Sequence, residues 1–237
     1  MGANMKEVYN KFLSSGFQQF NEGKSRYIVN QYRHNYLRYL PDDKSAKILE
    51  IGAGMGNFLQ FLGENGYDNY LGVDVSEESI NYCKEKGLEK VKLISDLKEF
   101  FITSATFDFI VMNDVIEHLP QDDTLAVLKK MYEKLNYGGT VIIKTGNLAS
   151  IIGPRIRYGD FTHYQGFTEY SLSQVMKVSG FSEVDVKGFV VPKNRIRRIL
   201  RAGGQKIVHG LWKLVYFLEF TYPPKIVDEI IFAIGKK

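Results

Sequence analysis

Ile48-Leu49-Glu50-Ile51-Gly52-Ala53-Gly54-Met55-Gly56-Asn57 is the stretch that decides the fold. A short β-type apolar run stops at three alternating glycines, and residues 57–64 then read as a helix. The order is strand, glycine turn, helix. Glycines at such a turn let the backbone bend tightly and approach a ligand closely. The unit recurs downstream. Tyr70-Leu71-Gly72-Val73-Asp74 precedes a helix over about 77–86, Val91 to Ile94 a short helix over 97–101, and Phe107 to Met112 a helix over about 124–135. A Tyr137-Gly138-Gly139 turn leads to a strand over 140–144. Alternating βα units predict a mostly parallel sheet covered by helices.

Outward from this centre the pattern changes at both ends. Residues 7–40 carry aromatic and aliphatic side chains at helical spacing up to Pro41-Asp42-Asp43, which predicts one or two helices leading into the core. After Gly146 the periodicity breaks for about twenty residues, as expected for a loop over the sheet's carboxyl edge, where open α/β folds bind ligands. A helix over 169–179, capped by Thr168, leads to a strand near 183–190, and residues 229–234 read as the last strand. Between them lies an insertion over 191–226, whose apolar and basic residues, interrupted by Gly203-Gly204, predict two amphipathic helices.

Composition narrows the class. The 237 residues hold 44% apolar side chains, too many for a disordered chain, and no apolar run reaches the roughly 18 residues of a membrane span. One cysteine, Cys83, and no secretory pattern lead us to expect a reducing, cytoplasmic compartment. The net charge of +4 is uneven: residues 191–225 hold eight basic side chains and one acidic, so the remainder is mildly acidic. That segment is expected to meet an anionic ligand, a phospholipid surface or a partner, a second copy included. Nucleic acid is not expected as a partner, because no aromatic-basic platform stands near the cleft. The four histidines are scattered in sequence, so no metal site is expected.

The glycine loop by itself also suits a dinucleotide fold, in which Asp74 would meet a ribose. Here, however, Asn57 stands where the G-x-G-x-x-G pattern has its last glycine, and Glu50 stands two before the first. In this respect the chain resembles class I S-adenosylmethionine-dependent methyltransferases, whose first motif is acidic-x-Gly-x-Gly-x-Gly after the first strand. Leu71 to Ser76, Ser95-Asp96-Leu97, Phe107 to Pro120 and Leu135 to Thr140 resemble its later motifs, in order. The resemblance covers about residues 45–145. It implies an α/β fold of the Rossmann-like type, a seven-stranded mostly parallel sheet flanked by helices. Residues 1–44 would form an N-terminal helical lid, 45–190 the core, 191–226 the insertion and 227–237 the last strand of one domain.

The same resemblance implies S-adenosylmethionine as donor, held by Glu50, Gly52, Ala53, Gly54, Gly56, Asn57, Asp74, Val75, Ser95, Asp96, Leu97, Asn113, Asp114 and Val115, with Tyr27 of the lid reaching over it. Two carboxylates suit ribose hydroxyls, and apolar neighbours suit adenine. Ordinary helix packing explains Tyr27, Arg33 and Tyr36 equally well.

Residues 158–168 are similar to a segment of methyltransferases encoded with bacterial surface-polysaccharide (capsule and O-antigen) pathways, on Asp160-Phe161-Thr162-His163 followed by Phe167-Thr168. This implies O-methylation of a small polar acceptor such as a sugar, a nucleotide-linked precursor or a phosphoramidate, with N-methylation as the alternative. A glycan or small-molecule acceptor would meet Arg157, Tyr158 and Tyr164. His118, His163 and Asp160 are the catalytic candidates, since a hydroxyl of high pKa benefits from a general base. A local hydrogen bond within the loop accounts for the same Asp and Thr. The rivals are a nicotinamide-dependent reductase and a donor-binding scaffold without turnover.

Overall fold

The computed structural model describes residues 8, 22–191, 196–220 and 222–237, with the side chains of 22–24 and 196–199 excepted. Seven strands form one sheet in the order β3-β2-β1-β4-β5-β7-β6. They are β1 (Ile48–Ile51), β2 (Tyr70–Asp74), β3 (Val91–Leu93), β4 (Phe107–Asn113), β5 (Leu135–Gly146), β6 (Glu183–Gly188) and β7 (Ile230–Lys236). β1 pairs in parallel with both β2 and β4, and β7 runs antiparallel between β5 and β6. All four residues of β1 are buried, as a strand covered on both faces requires.

The helices are α1 (Glu22–Tyr36), α2 (Asn57–Glu64), α3 (Glu77–Glu85), α4 (Leu97–Thr103), α5 (Gln121–Lys134), α6 (Gly153–Tyr158), α7 (Glu169–Val178) and α8 (Ile196–Phe220). Their starts follow local chemistry. Ser76 caps α3 by accepting from the Ser79 amide, and Asp96 caps α4 by accepting from the Lys98 and Glu99 amides. Thr168 and Ser171 cap α7 reciprocally.

One face of the sheet is closed by an aromatic cluster. Tyr32 and Tyr36 of α1 stack at 5.4 Å and meet Phe58, Phe61, Phe189 and Phe232. Asn35 fastens the same helix to the stretch just past β6, donating to the Val190 carbonyl at 2.8 Å and accepting from its amide at 2.9 Å. The other face is packed by α4, α5 and α7, whose Phe101, Leu128 and Leu172 are fully buried.

Two local expectations change. The irregular stretch after β5 contains the short helix α6, started by Pro154 in its first turn. The basic segment is one helix of 25 residues, not two. Gly203 and Gly204 lie within it with open space where a Cβ would stand; each glycine costs about 1 kcal/mol of helix propensity but removes no hydrogen bond, so the helix passes through. It is anchored by the Trp212 indole, which donates to the Ala149 carbonyl at 2.9 Å, while Leu200, Ile207, Leu211, Leu214 and Leu218 are exposed. Among the described residues, no helix is long and apolar enough to cross a membrane.

The return into β7 hangs on Glu169. Its buried carboxylate accepts from the Lys225 and Ile226 amides, both at 2.8 Å. Glu169→Ala would leave two amides without a charged acceptor, so a loss of about 2–3 kcal/mol is expected in urea unfolding, with Glu169→Gln losing less.

Candidate active site

The carboxyl ends of β1, β2, β4 and β5 open into a cavity of about 910 Å³. Its floor is the glycine turn, where Gly52, Gly54 and Gly56 all have positive φ. At Gly52 a Cβ would stand 2.3 Å from Val115 Cγ2, so the turn tolerates no side chain there. Asp74, at the end of β2, braces this turn by accepting from the Gly54 amide, and it accepts from the Ser76 amide with its other oxygen, both at 2.8 Å. With a third backbone donor in Val75, the carboxylate still keeps lone-pair capacity for a ligand.

Beside Asp74, Glu50 and Asn113 line the cavity from the ends of β1 and β4. The Tyr36 hydroxyl donates to Asn113 Oδ1 at 2.9 Å. The Asn113 amide faces Glu50, yet Glu50 Oε2 and Asn113 Nδ2 are buried with no hydrogen-bond partner. Such atoms are costly unless a ligand satisfies them. A ligand with paired hydroxyls and a polar, zwitterionic tail fits this edge, while Met55, Val75, Ile94 and Leu97 supply an apolar slot for a planar base.

The electrostatics follow from burial. Burial pushes the Glu50 carboxyl well above the usual range, against the Asn113 amide and the Lys144 ammonium; Asp74 is also raised by burial, against its backbone donors. Burial alone would depress Lys144. Asp114, whose carboxylate is 2.5 Å from Lys144 Nζ, outweighs it together with Tyr32 and Glu117, and the ammonium is held above the usual lysine range. Asp114 is the one non-glycine residue with positive φ among those described, at 53°. That strain, on the order of 1 kcal/mol, turns the chain sharply out of β4.

The turn delivers Glu117 and His118, and the loop over 159–165 closes on them. Asp160 Oδ1 accepts from the Thr162 amide at 2.8 Å and from the Thr162 hydroxyl at 2.6 Å. That hydroxyl has one proton, which goes to the carboxylate, so towards His118 Nδ1, 2.8 Å away, Thr162 Oγ1 is an acceptor. His118 therefore carries its proton on Nδ1. Burial, helped by the neighbouring His163, lowers its pKa. His163 donates from Nδ1 to the Ile156 carbonyl at 2.9 Å, and the two rings stand 4.7 Å apart, edge to face.

Most of the expected site residues come together. Glu50, Gly52, Ala53, Gly54, Asn57, Asp74, Val75, Leu97, Asn113, Asp114 and Val115 line the cavity with His118, Asp160 and His163. Seven do not line it. Gly56 serves the turn itself, where a Cβ would strike Leu88. Ser95 donates to Glu99, and Asp96 is spent as the cap of α4. Tyr27 stands outside the lining, and Tyr32 one turn later on α1 is inside it. Arg157 holds the loop by donating to the His163 and Tyr164 carbonyls, and Tyr158 and Tyr164 face solvent. Sequence reading did not find Lys144 or Tyr32. Two of the four histidines meet in space: one donor atom each of Glu117, His118 and His163 lie within 4.8 Å of one another.

The fold and this cavity define an S-adenosylmethionine-dependent methyltransferase of class I. The chain belongs to the methyltransferase domain family, whose profile matches residues 25–186. It is similar to a tRNA (guanine-N(7)-)-methyltransferase of Shewanella sp. (strain MR-4), 22% identical, over 91% of this chain and 93% of that one. It is similar also to ribosomal RNA small subunit methyltransferase A of Mycoplasmoides gallisepticum, 23% identical over 96% and 89% of the two chains. Among solved structures, a SAM-dependent methyltransferase from Archaeoglobus fulgidus superposes with a TM-score of 0.68, at 21% identity and covering 90% and 94% of the two chains. The methyl donor is S-adenosylmethionine. The exclusion of nucleic acid does not stand: it rested on the missing aromatic-basic platform, whereas relatives matching nearly the whole chain are named for tRNA and rRNA.

A carboxyl whose folded pKa is raised contributes most to stability while protonated in both states. The contribution is lost as pH rises from the ordinary carboxylate range through the raised folded value. For Glu50 this predicts that the ligand-free wild type loses stability over the window from about pH 5 upward. Glu50→Gln is expected to show a smaller decline when unfolding midpoints are compared across that window.

Proposed function

We propose that the protein transfers the donor's methyl group to an oxygen of a polar acceptor, a sugar or nucleotide hydroxyl, held against His118 and His163. The observation that carries this reading is the chain from Asp160 through Thr162 to His118, which fixes the imidazole tautomer at the cavity wall. Glu50 and Asp74 take the donor's ribose hydroxyls, the glycine turn admits its methionine part, and Tyr32 covers it from α1. S-adenosylmethionine supplies a methyl carbon that the acceptor oxygen's lone pair bonds as the carbon–sulfur electron pair returns to sulfur, the hydroxyl proton leaving on the imidazole side. The protein's own task is to align these groups and exclude water. The lone cysteine, buried, suits a cytoplasmic setting.

An RNA acceptor is a second reading, favoured by position as well as by the named relatives. The anchor of α8 is Ala149, three residues beyond the end of β5, so this helix, with Arg201 and Lys206 exposed, is fastened at the cavity's edge. Phosphate contacts of such a helix would add affinity without base specificity.

A S-adenosylhomocysteine release assay across nucleotide-sugars, isolated surface glycan, tRNA and rRNA tests both. Turnover with one class is expected, falling more than about a hundredfold in His118→Ala while donor binding persists. Asp74→Ala is expected to weaken donor binding more than about tenfold in calorimetry. Full turnover in His118→Ala would refute the assignment of the acceptor end.

A further inference from the structure

We infer that α8 is a membrane-surface helix: its outward face settles into the headgroup layer of an anionic phospholipid bilayer, with the helix axis in the membrane plane. The inference goes beyond the proposed function and does not depend on it. Leu200, Ile207, Leu211, Leu214 and Leu218 follow one another at spacings of seven, four, three and four residues. At about 3.6 residues per turn they therefore form one stripe along the helix. They are 51–73% exposed, whereas Ala202, His209, Trp212 and Tyr216, on the opposite side, are buried or half-buried. Trp212 fastens that inner side to the Ala149 carbonyl, and Tyr216 packs on the Trp212 ring. Val208, Val215 and Phe217, also exposed, widen the outer stripe to about half of the circumference. So continuous an apolar face marks an interaction surface, not scattered exposure.

The charges fix what that surface meets. The helix holds five basic residues and one acidic one, Glu219. The helical register sets Arg201 along one border of the apolar face and Lys206 and Lys213 along the other. Arg201 and Lys206 are exposed, and Lys213 reaches the Lys225 carbonyl. An apolar face between cationic borders is the arrangement of helices that lie on a bilayer, where the apolar side chains enter the acyl boundary and the cations meet lipid phosphates.

Other occupants satisfy only half of this pattern. The phosphates of an RNA would meet the cations and leave the apolar stripe in water. A second copy would cover the stripe but bring one basic helix against another of the same sign. Nor is α8 a span, since among the described residues no helix is long and apolar enough to cross a membrane. A helix of 25 residues laid flat presents its stripe over about 37 Å of surface. Because its anchor, Ala149, is three residues past the end of β5, the bilayer would lie beside the cavity's edge.

Co-flotation of the full chain with vesicles tests this, comparing phosphatidylglycerol and phosphatidylcholine in equal parts with phosphatidylcholine alone. Binding to the anionic vesicles is expected to exceed binding to the neutral ones more than about tenfold and to weaken as salt is added. Ile207→Ser with Leu214→Ser, which removes apolar area without adding charge, should lower binding to the anionic vesicles more than about tenfold. Arg201→Gln with Lys206→Gln should do the same there and change nothing on the neutral vesicles. Donor binding by calorimetry reports that each variant is folded. Absence of flotation, equal flotation with both vesicle types, or equal binding by the wild type and the folded variants overturns the inference. It is overturned also by a tRNA complex that depends on Arg201 and Lys206 without vesicle binding. A dimer in light scattering that Ile207→Ser with Leu214→Ser disperses, again without vesicle binding, gives the face to a second copy. Flotation involves no turnover, so its outcome is separate from that of the acceptor assignment.

Discussion

Lys144 is buried near the carboxyl end of β5, and its ammonium is the counter-charge on which the carboxylates of this edge depend. Asp114 pairs with it directly, while Glu50 and Glu117 sense it at longer range. Three carboxylates at the ends of neighbouring strands would repel one another, and burial makes each costlier still. One fixed positive charge lessens both problems. It also holds Asp114 in the left-handed conformation that turns the chain out of β4, and the Asp114 amide donates back to the Lys144 carbonyl at 2.9 Å. Without that turn, Glu117 and His118 would continue along the strand direction instead of folding back under the loop.

The loop that meets them is held just as firmly. Glu117 accepts through its own carbonyl from the Tyr164 amide at 2.9 Å, and Gln165 donates to the Leu119 carbonyl and Thr124 hydroxyl. Arg157 spans the loop from inside. A stretch with no helical or strand periodicity is thus pinned by side chain to backbone bonds at its ends and centre. Such preorganisation is what a group-transfer site requires, because a misplaced acceptor costs more rate than a weakly bound one.

The sheet was legible because its physics is local. Ile48 to Gly56 already contains a buried strand and a turn that only glycines make, and the recurrence of that unit implies parallel neighbours. What was not legible depends on choices between local and distant partners. Asp96 has a carboxylate free in sequence to meet a ligand, but the nearest orphan amides belong to its own helix and take it. Tyr27 and Tyr32 have the same chemistry on one helix, and only the aromatic cluster around Phe58 decides which reaches the cavity. Gly203-Gly204 looks like a break, but glycine lowers helix propensity without blocking the hydrogen-bond ladder as proline does.

Lys144 shows the limit most clearly. In sequence it is a polar residue at the end of a β-type run, as surface lysines often are, and nothing nearby marks it as buried. Its partner Asp114 is 30 residues away, joined to it only by the parallel register of β4 and β5, which sets Asn113 opposite Lys144. The same register brings Glu117 and His118 beneath a loop that begins past the end of β5, and so unites side chains from 117 to 163 in one cavity. The proposed acceptor end of the cavity is therefore a property of the sheet's pairing rather than of any single motif, and the proposed donor end, built around one glycine turn, is the part that a motif can announce.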